Sequence, residues 1–367
     1  ALREGFRSIE HVKRYTTTGM GTDQGKLGNM HALGIIAETA DVKMGELGTT
    51  TFRPPYTPLT FGTIVGRNVG EYFDTFRRTP MNSWHIEKKA EFENVGQWKR
   101  AWYYPKNNET MHDAVQRESK AARNSAGILD ASTLGKIDIQ GTDASEFLNR
   151  VYTNAWSKLA IGKCRYGLML NEDGMVYDDG VTTRLDENHY IMTTTTGGAA
   201  NVLGKLEDYL QTEWPELDVY LSSVTDHYAT ASICGPNSKK ILNKLIPDLD
   251  LSDESFPHMS FKNAKIANIK CRIMRISFTG EHSYEINIQA NYGEDLWKKC
   301  MEAGEEFNIT PYGTETMHLL RAEKGFIIVG QDTDATMTPI DLQMDWIVSK
   351  KKYDFIGKRS LYRSDTM

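Results

Sequence analysis

The sequence predicts an α+β fold made of two related units, each an antiparallel sheet with flanking helices. One observation is the ordered series of short strands and helices from about residue 80, in which hairpins rather than crossover helices join neighbouring strands. A second observation is an internal similarity at an offset of 94 residues: "FLNRVY" (147–152) falls on "ILNKLI" (241–246), and "YIM" (190–192) falls on "YEI" (284–286). Gly141 and Gly235 match at the same offset, each just before a predicted helix.

The first elements of the series follow from local sequence patterns. "MHDAVQRESKAARNSAG" (111–127) predicts a helix that is stopped by Gly127. "GKIDIQG" predicts a strand, and "TDASEFLNRVY" predicts a helix that opens at Thr142 or Asp143 and places Phe147, Leu148 and Val151 on one face.

A hairpin, a strand and a helix complete the first unit. "RYGLML" and "MVYDDGVTTRL" predict two strands joined by the turn "NEDG", in which Gly174 can adopt a positive φ. "HYIMTTTT" predicts the next strand and "AANVLGKLEDYLQ" the helix after it. Between the anchors of the repeat the spacing drifts, since "KCRYGL" matches "KCRIMR" only at an offset of 107.

Residues 1–79 have a different composition. They open on an amphipathic helix, then become rich in Gly and Thr, and then in Pro. We expect this leader to be extended and poorly packed, because Pro54, Pro55 and Pro58 exclude a regular helix or a central strand. Both ends of the sequence resemble cuts, so we expect a piece of a longer polypeptide.

Composition and charge argue against several classes of protein. The 367 residues carry a net charge of −6, which disfavours a nucleic-acid partner, and no apolar run has the length of a membrane span. The four cysteines are far apart without a CxxC motif, which favours reduced thiols and a cytoplasmic location. The nine histidines are scattered, so we predict no metal site.

Three carboxylates lie in segments that otherwise predict strands. Adjacent strand residues point to opposite faces, so either Asp178 or Asp179 must face the core or a cleft. Glu285, between Tyr284 and Ile286, gives the second unit a carboxylate of the same kind. Each residue alone has a structural interpretation, either as a partner of backbone N–H groups or on a solvated face. Together they indicate a cleft for a ligand rich in N–H donors.

Ordered segments of the chain resemble the folate-binding aminomethyltransferase family, which includes the T-protein of the glycine cleavage system. They are "RRTPMNSWHIEKKAEFENVGQWKRAWYYP", "SAGILDASTLGKIDIQGTDASEFLNRVYTN", "YGLMLNEDGMVYDDGV", "RISFTGEHSYEI", "GTETMHLLRAEKGF" and "GQDTDATMTPIDLQMDWIV". The segments "ALREGFRSIEHVKRYTTTGMGTDQGK" and "TTFRPPYTPLTFG" resemble the junction that precedes this half in alpha subunits of heterotetrameric sarcosine oxidases.

The resemblance implies a set of site residues. Asp179 takes the catalytic position near the bridge nitrogen of the folate, and Glu285 binds the pterin edge. The other folate-binding positions that it implies are Tyr166, Thr194, Thr195, Gly197 and Phe278. Two positions depart from the family pattern: Phe278 replaces a tyrosine, and Met317 replaces an arginine.

The resemblance also implies domains. Residues 1–79 would be the junction from a dinucleotide-binding domain, and residues 80–352 the aminomethyltransferase-like domain, with units at about 80–225 and 226–352. Residues 353–367 would begin a truncated C-terminal domain whose β-barrel is missing.

The implied function is that of a sarcosine oxidase subunit. Its cofactor here would be tetrahydrofolate, which takes the one-carbon unit of oxidised sarcosine to give 5,10-methylenetetrahydrofolate and glycine. NAD and flavin would belong only to the complete complex, with beta, gamma and delta subunits as partners, and these residues alone would not act as an oxidase. The alternatives are a free-standing aminomethyltransferase, a dimethylglycine dehydrogenase-like enzyme, or a folate-binding module without catalysis.

Overall fold

The computed structural model describes residues 1–363 and divides into two compact units, residues 1–75 and the residues from 76 onward. No helix among the described residues is both long and apolar enough to cross a membrane. The second unit contains all of the predicted site residues.

The first unit is a small helical assembly. Its helices are α1 (Ile9–Tyr15), α2 (Gly28–Ala40) and α3 (Phe61–Val65). The prediction of an extended leader is wrong for α2. Leu33 and Ile36 recur at helical spacing and are buried against Ile9 and Val12 of α1, so a short apolar stripe outweighs the glycine-rich composition.

The second unit contains fourteen strands among the described residues. Their bounds are β1 (Arg77–Arg78), β2 (Glu91–Val95), β3 (Trp98–Tyr103), β4 (Gly127–Asp130), β5 (Gly135–Gln140), β6 (Cys164–Leu170), β7 (Val176–Asp186), β8 (His189–Thr194), β9 (Tyr220–Ser223), β10 (Tyr228–Cys234), β11 (Ser260–Ile266), β12 (Ile269–Arg275), β13 (Ser283–Gln289) and β14 (Thr310–Pro311).

Seven α-helices accompany these strands in the described part of the unit. They are α4 (Asn82–Glu87), α5 (Met111–Asn124), α6 (Ala144–Val151), α7 (Ala199–Thr212), α8 (Ser238–Leu245), α9 (Gly293–Ala303) and α10 (Thr314–Ala322). A capping box fixes the start of α5, because Thr110 Oγ1 accepts from the Asp113 N–H while the Asp113 carboxylate accepts from the Thr110 N–H.

The strands form two large sheets and one small sheet. The first sheet has the order β6-β7-β8-β5-β9, the second has the order β11-β12-β13-β10-β4-β14, and the small sheet has the order β1-β3-β2. Among the described strands, only the pairs β1–β3 and β14–β4 are parallel. The predicted α+β class with two antiparallel units is confirmed.

The two large sheets show the internal repeat directly. The order β5, α6, β6, β7, β8, α7 recurs as β10, α8, β11, β12, β13, α9. The repeat reaches further than predicted, since β4 and β9 also lie about 94 residues apart, and β4 pairs with β10 while β9 pairs with β5. Each unit therefore completes its sheet with a strand taken from the other, which a pattern based on sequence neighbours does not predict.

Two expectations about the repeat are wrong. The match at offset 107 joins β6 with β12, which occupy different places in their sheets, whereas offset 94 holds throughout. Glu285 is likewise not the counterpart of Asp179. It lies on β13 and corresponds to Ile191 on β8, while Asp179 lies on β7. A carboxylate in each unit is thus not a duplicated feature.

Helices cover one face of each large sheet. On the first sheet α6 and α7 bury a cluster that includes Ile137, Tyr190 and Met192, and on the second α8 and α9 bury a cluster around Ile233 and Ile286. A third cluster joins the two inner faces and is built from Cys164, Ile191, Met274 and Ile276. The result is a four-layer arrangement in which the two sheets face each other.

Candidate functional site

Asp178 points away from the space between the sheets. Its side chain is 1% exposed and accepts hydrogen bonds from the Asp179 N–H (2.8 Å), the Thr195 N–H (3.3 Å) and the Thr195 hydroxyl (3.1 Å). Burial raises the pKa of Asp178 to about 6, against these hydrogen bonds, which lower it. Asp178 therefore holds the loop after β8 against β7.

The loop after β8 can approach Asp178 because of a glycine. A Cβ at Gly198 would lie 2.1 Å from Asp178 Oδ2, whereas a Cβ at Gly197 would meet nothing within 4 Å. The two adjacent glycines thus differ: Gly198 is required by packing, and Gly197 leaves an open backbone that a ligand can approach.

Asp179 points to the inner face of the first sheet. The Tyr166 hydroxyl on β6 donates to Asp179 Oδ2 at 2.7 Å. Burial raises the pKa of Asp179 to about 7, the neighbouring Asp178 raises it further, and the Tyr166 hydrogen bond opposes both. The pKa of Tyr166 is raised by burial and by the Asp179 charge. A carboxyl group that titrates near neutrality can hold or release a proton at working pH.

Glu285 lies on the inner face of the second sheet, in one row with Ser232 on β10 and Met274 on β12. Its carboxylate accepts no hydrogen bond from any residue that the structure describes, although the side chain is part-buried. Burial raises the pKa of Glu285 to about 7, and the charge of Lys136 opposes that rise. With no donor from the described protein on them, the Glu285 oxygens are available to accept hydrogen bonds from a ligand.

Lys136 is a charged group at the site that the sequence reasoning did not identify. It is 2% exposed, and its Nζ donates to the carbonyls of Ser132 (3.1 Å) and Leu134 (3.0 Å). Burial lowers the pKa of Lys136 to about 8, while the Glu285 charge raises it. Alternation along "GKIDIQG" could have identified it, since Lys136 falls on the face opposite the buried Ile137.

The remaining predicted site residues lie in different surroundings. Thr195 is joined to Asp178, and the Thr194 hydroxyl is buried and donates to the Thr195 carbonyl at 2.9 Å. Phe278 stacks on Phe326 with ring centroids 6.1 Å apart. The structure thus brings Tyr166 and Asp179 into direct contact. Their roles, and those of Thr194, Thr195, Gly197, Phe278 and Glu285, stay predictions.

A buried polar network lies behind the second sheet and was also not predicted. His85 contacts Asp130 through Nε2 (3.1 Å), and the Tyr104 hydroxyl lies 2.9 Å from His85 Nδ1. Trp84 and Trp297 pack edge-on against the His85 ring. These contacts satisfy the imidazole within the core. In residues 1–363 no group of three or more His, Cys, Asp or Glu side chains is arranged to hold a metal ion.

Comparison with known families and proteins agrees with this architecture. The family model described as the GCVT N-terminal domain matches residues 81–352, and the model of the sarcosine oxidase A3 domain matches residues 1–67. The aminomethyltransferase of Thermoanaerobacter sp. (strain X514) is 33% identical over 291 residues, which are 79% of this chain and 75% of that protein.

Relatives with greater identity extend over the whole chain. Sarcosine oxidase subunit alpha of Corynebacterium sp. (strain P-1) is 56% identical over 369 residues, and that of Rhizobium meliloti (strain 1021) is 47% identical over 366. The alignments cover 100% and 99% of this chain but only 38% and 37% of those proteins. The chain thus spans little more than a third of these relatives' length.

A solved structure shares the fold. The glycine cleavage system aminomethyltransferase T from Bartonella henselae superposes with a TM-score of 0.67 at 24% identity, covering 78% of this chain and 74% of that one. The resemblance inferred from the sequence is confirmed: the chain belongs to the aminomethyltransferase family of the GCVT N-terminal domain, and over its full length it is similar to sarcosine oxidase alpha subunits.

Proposed function

We propose that residues 80–352 bind tetrahydrofolate and transfer to it the one-carbon unit of oxidised sarcosine, as part of a sarcosine oxidase alpha subunit. Family membership supports folate binding in this domain. The observation that carries the proposal is Glu285, a part-buried carboxylate on the inner sheet face whose oxygens accept nothing from the described protein.

The residues present fit a reduced folate. A pterin offers a 2-amino group and a ring N–H side by side, and these two donors match both oxygens of one carboxylate. Glu285 meets that requirement because its oxygens accept no hydrogen bond from the part of the chain that the structure describes. Open backbone at Gly197 lets the loop after β8 lie close to a flat ring. Met317 packs in an apolar cluster with Leu129 and Leu320, so it offers no cation to a folate tail.

Asp179 is the group that we assign to proton transfer. Bound tetrahydrofolate would supply two amine nitrogens for the methylene carbon of the imine, and the two protons lost from them would pass to the departing glycine nitrogen. Asp179, whose pKa lies near 7, accepts one proton and returns it, and the Tyr166 hydroxyl orients its carboxylate. Part-burial of the pair limits access of water, which would otherwise hydrolyse the imine to formaldehyde.

The rest of the reaction belongs to the proposed assembly. Oxidation of sarcosine at a flavin on a partner subunit would supply the imine, and oxygen would take the two electrons as hydrogen peroxide. The beta, gamma and delta subunits are the proposed partners, with NAD held elsewhere in the complex. Residues 1–79 are proposed as the junction to a dinucleotide-binding part, and residues 353–367 as the start of a further domain.

Two substitutions separate binding from transfer. Loss of a charge-assisted pair costs on the order of 2–3 kcal/mol, so Glu285→Gln should weaken folate binding by roughly thirty- to more than a hundredfold. Asp179→Asn should reduce the rate of methylenetetrahydrofolate formation more than it reduces binding. Both are measured by folate titration and by single-turnover product formation in the complete subunit assembly.

The matched controls are Glu207→Gln and Asp208→Asn on the exposed face of α7, which should change neither quantity. Wild-type affinity in Glu285→Gln would refute the pterin contact. Equal losses of binding and rate in Asp179→Asn would make Asp179 a binding residue only and would favour a folate-binding module without catalysis.

A further inference from the structure

A cavity of about 560 Å³ opens on the inner face of the second sheet, beside the proposed folate site but lined by other residues. Its walls come from β10–β13, and none of the lining residues is acidic. They are Tyr228, Asn263, Ala264, Lys265, Lys270, Cys271, Arg272, Asn287 and Gln289. Its volume is in the range of cavities that hold small ligands.

Arg272 lines this cavity and has no counter-ion among the described residues. Its Nε and Nη1 are buried and have no hydrogen-bond partner among the described residues, and no carboxylate there forms an ion pair with the guanidinium. The guanidinium lies only at the edge of cation–π range, 5.8 Å from the ring centroid of Tyr228 and 6.0 Å from that of Phe261. A guanidinium whose N–H donors are unpaired in a cavity can bind an oxyanion.

Asn287 adds a second unpaired donor in the same cross-strand row. It is 6% exposed and pairs in register with Arg272. Its Oδ1 accepts from the Thr230 hydroxyl at 2.7 Å, which fixes the amide, while its Nδ2 has no hydrogen-bond partner in residues 1–363. A side chain more than nine-tenths buried, with its N–H₂ group unsatisfied at the cavity, carries a cost that a bound acceptor removes.

Two lysines complete the basic lining at the mouth. Lys265 and Lys270 pair directly across the β11–β12 hairpin, both are exposed, and neither forms an ion pair with a described residue. Like charges in directly opposed strand positions destabilise a hairpin. That cost is offset when a dianion lies between them, because each cation then has a counter-charge.

We propose that this cavity binds a phosphorylated small molecule, with its phosphate held by Arg272, Asn287 and the two lysines. Three cations exceed what one carboxylate neutralises, whereas a phosphate dianion with three oxygens matches the guanidinium fork together with the amide. The cavity is larger than inorganic phosphate, and the Tyr228 ring offers a wall for the organic part. The sequence did not predict the site, since its donors come from three separate strands.

The test is calorimetric titration of the full chain with inorganic phosphate, phenyl phosphate and glutarate at low ionic strength. Phenyl phosphate should bind at least tenfold more tightly than inorganic phosphate, and glutarate more weakly than either. Arg272→Gln should weaken phenyl phosphate binding at least tenfold, with a smaller loss in Arg272→Lys, which keeps the charge but not the fork. Glutarate binding as tight as that of phenyl phosphate, or unchanged affinity in Arg272→Gln, would overturn the proposal.

A second variant avoids the risk that Arg272 is needed for folding. Lys265→Gln/Lys270→Gln alters only exposed side chains and should weaken binding several-fold and reduce its salt dependence. The matched control is Lys298→Gln/Lys299→Gln on the exposed side of α9, which removes the same charge and should leave binding unchanged. Equal effects of the two double variants would show nonspecific attraction and contradict the site.

An experiment can distinguish failure of the proposed phosphate site from failure of the proposed folate site. Glu285→Gln removes a negative charge near the cavity, so it should not weaken phenyl phosphate binding even though it weakens folate binding. Parallel loss of both ligands in Glu285→Gln would mean that the cavity is not a separate site.

Discussion

Asp178 and Asp179 are adjacent but differ in environment, because a strand turns successive side chains to opposite faces. Asp178 accepts hydrogen bonds from three donors and holds the loop after β8 in place. Asp179 lies on the inner face and accepts one side-chain hydrogen bond, from the Tyr166 hydroxyl. The sequence predicted that one of the two must face inward but not which one. That choice depends on the pairing of β7 with β8, which contacts far along the chain determine.

The folded state should be sensitive to pH through Glu285. Its folded pKa, about 7, lies above the ordinary value, so between about pH 4.5 and 7 the native state holds a proton that the unfolded state has lost. Stability should therefore fall as pH rises through this range, by roughly 3 kcal/mol at most from this residue. Glu285→Gln stays neutral, so its stability relative to wild type should increase from pH 4.5 to pH 8.

Urea denaturation at the two pH values measures this difference. The exposed Glu207→Gln should show no such increase. A constant difference between Glu285→Gln and wild type across the pH range would mean that Glu285 is ionised at no cost, and therefore solvated or paired.

The segment from β7 through the loop to α7 shows what short-range patterns predict and what they do not. The turn "NEDG", the strands on either side of it and the helix α7 were all predicted from alternation and turn residues, and they are confirmed. The contact between Asp178 and the loop was not, because nothing local specifies which backbone a buried carboxylate will meet. Lys136 was missed for a related reason: it donates to carbonyls in its own turn, and the carboxylate whose charge raises its pKa, Glu285, lies on the other sheet.

A pair of glycines in this loop gives a matched test. In Gly198→Ala the new methyl group would collide with Asp178 Oδ2, displacing a buried carboxylate from its donors at a cost of about 2–3 kcal/mol. Gly197→Ala meets open space and should change the free energy of unfolding by less than about 0.5 kcal/mol. Equal effects of the two substitutions on urea denaturation would contradict the packing described at Asp178.

The sequence predicted the two related units of the molecule but not how their strands pair with each other. The offset of 94 residues predicted two related units, but the exchange of β4 and β9 between their sheets was not foreseen, because it pairs strands that are distant in sequence. The helix α2 was not predicted, because the glycine-rich composition favoured an extended segment and the apolar stripe of the helix is short. The pairing of the strands into two facing sheets, and not any one motif, turns three side chains towards the inter-sheet space: Tyr166, Asp179 and Glu285.

The division of the chain near residue 75 predicts its response to protease. Residues 51–75 have few buried side chains, and Phe61, Ile64 and Tyr72 are 81%, 65% and 74% exposed. Limited trypsinolysis should cut after the exposed Arg67 before any site in residues 80–350, leaving a stable product that begins near residue 68. Mass spectrometry of the early products checks this, and early cleavage within 80–350 with residues 51–75 intact would contradict it.

The central claim is that folate binds between the sheets, with its pterin edge on Glu285. A crystal structure of the full chain with 5-formyltetrahydrofolate, an unreactive analogue, tests it most directly. We expect the pterin 2-amino group and ring N–H within hydrogen-bond distance of the two Glu285 oxygens, and the bridge nitrogen near Asp179. A pterin bound elsewhere, with Glu285 still unpaired, would contradict the account.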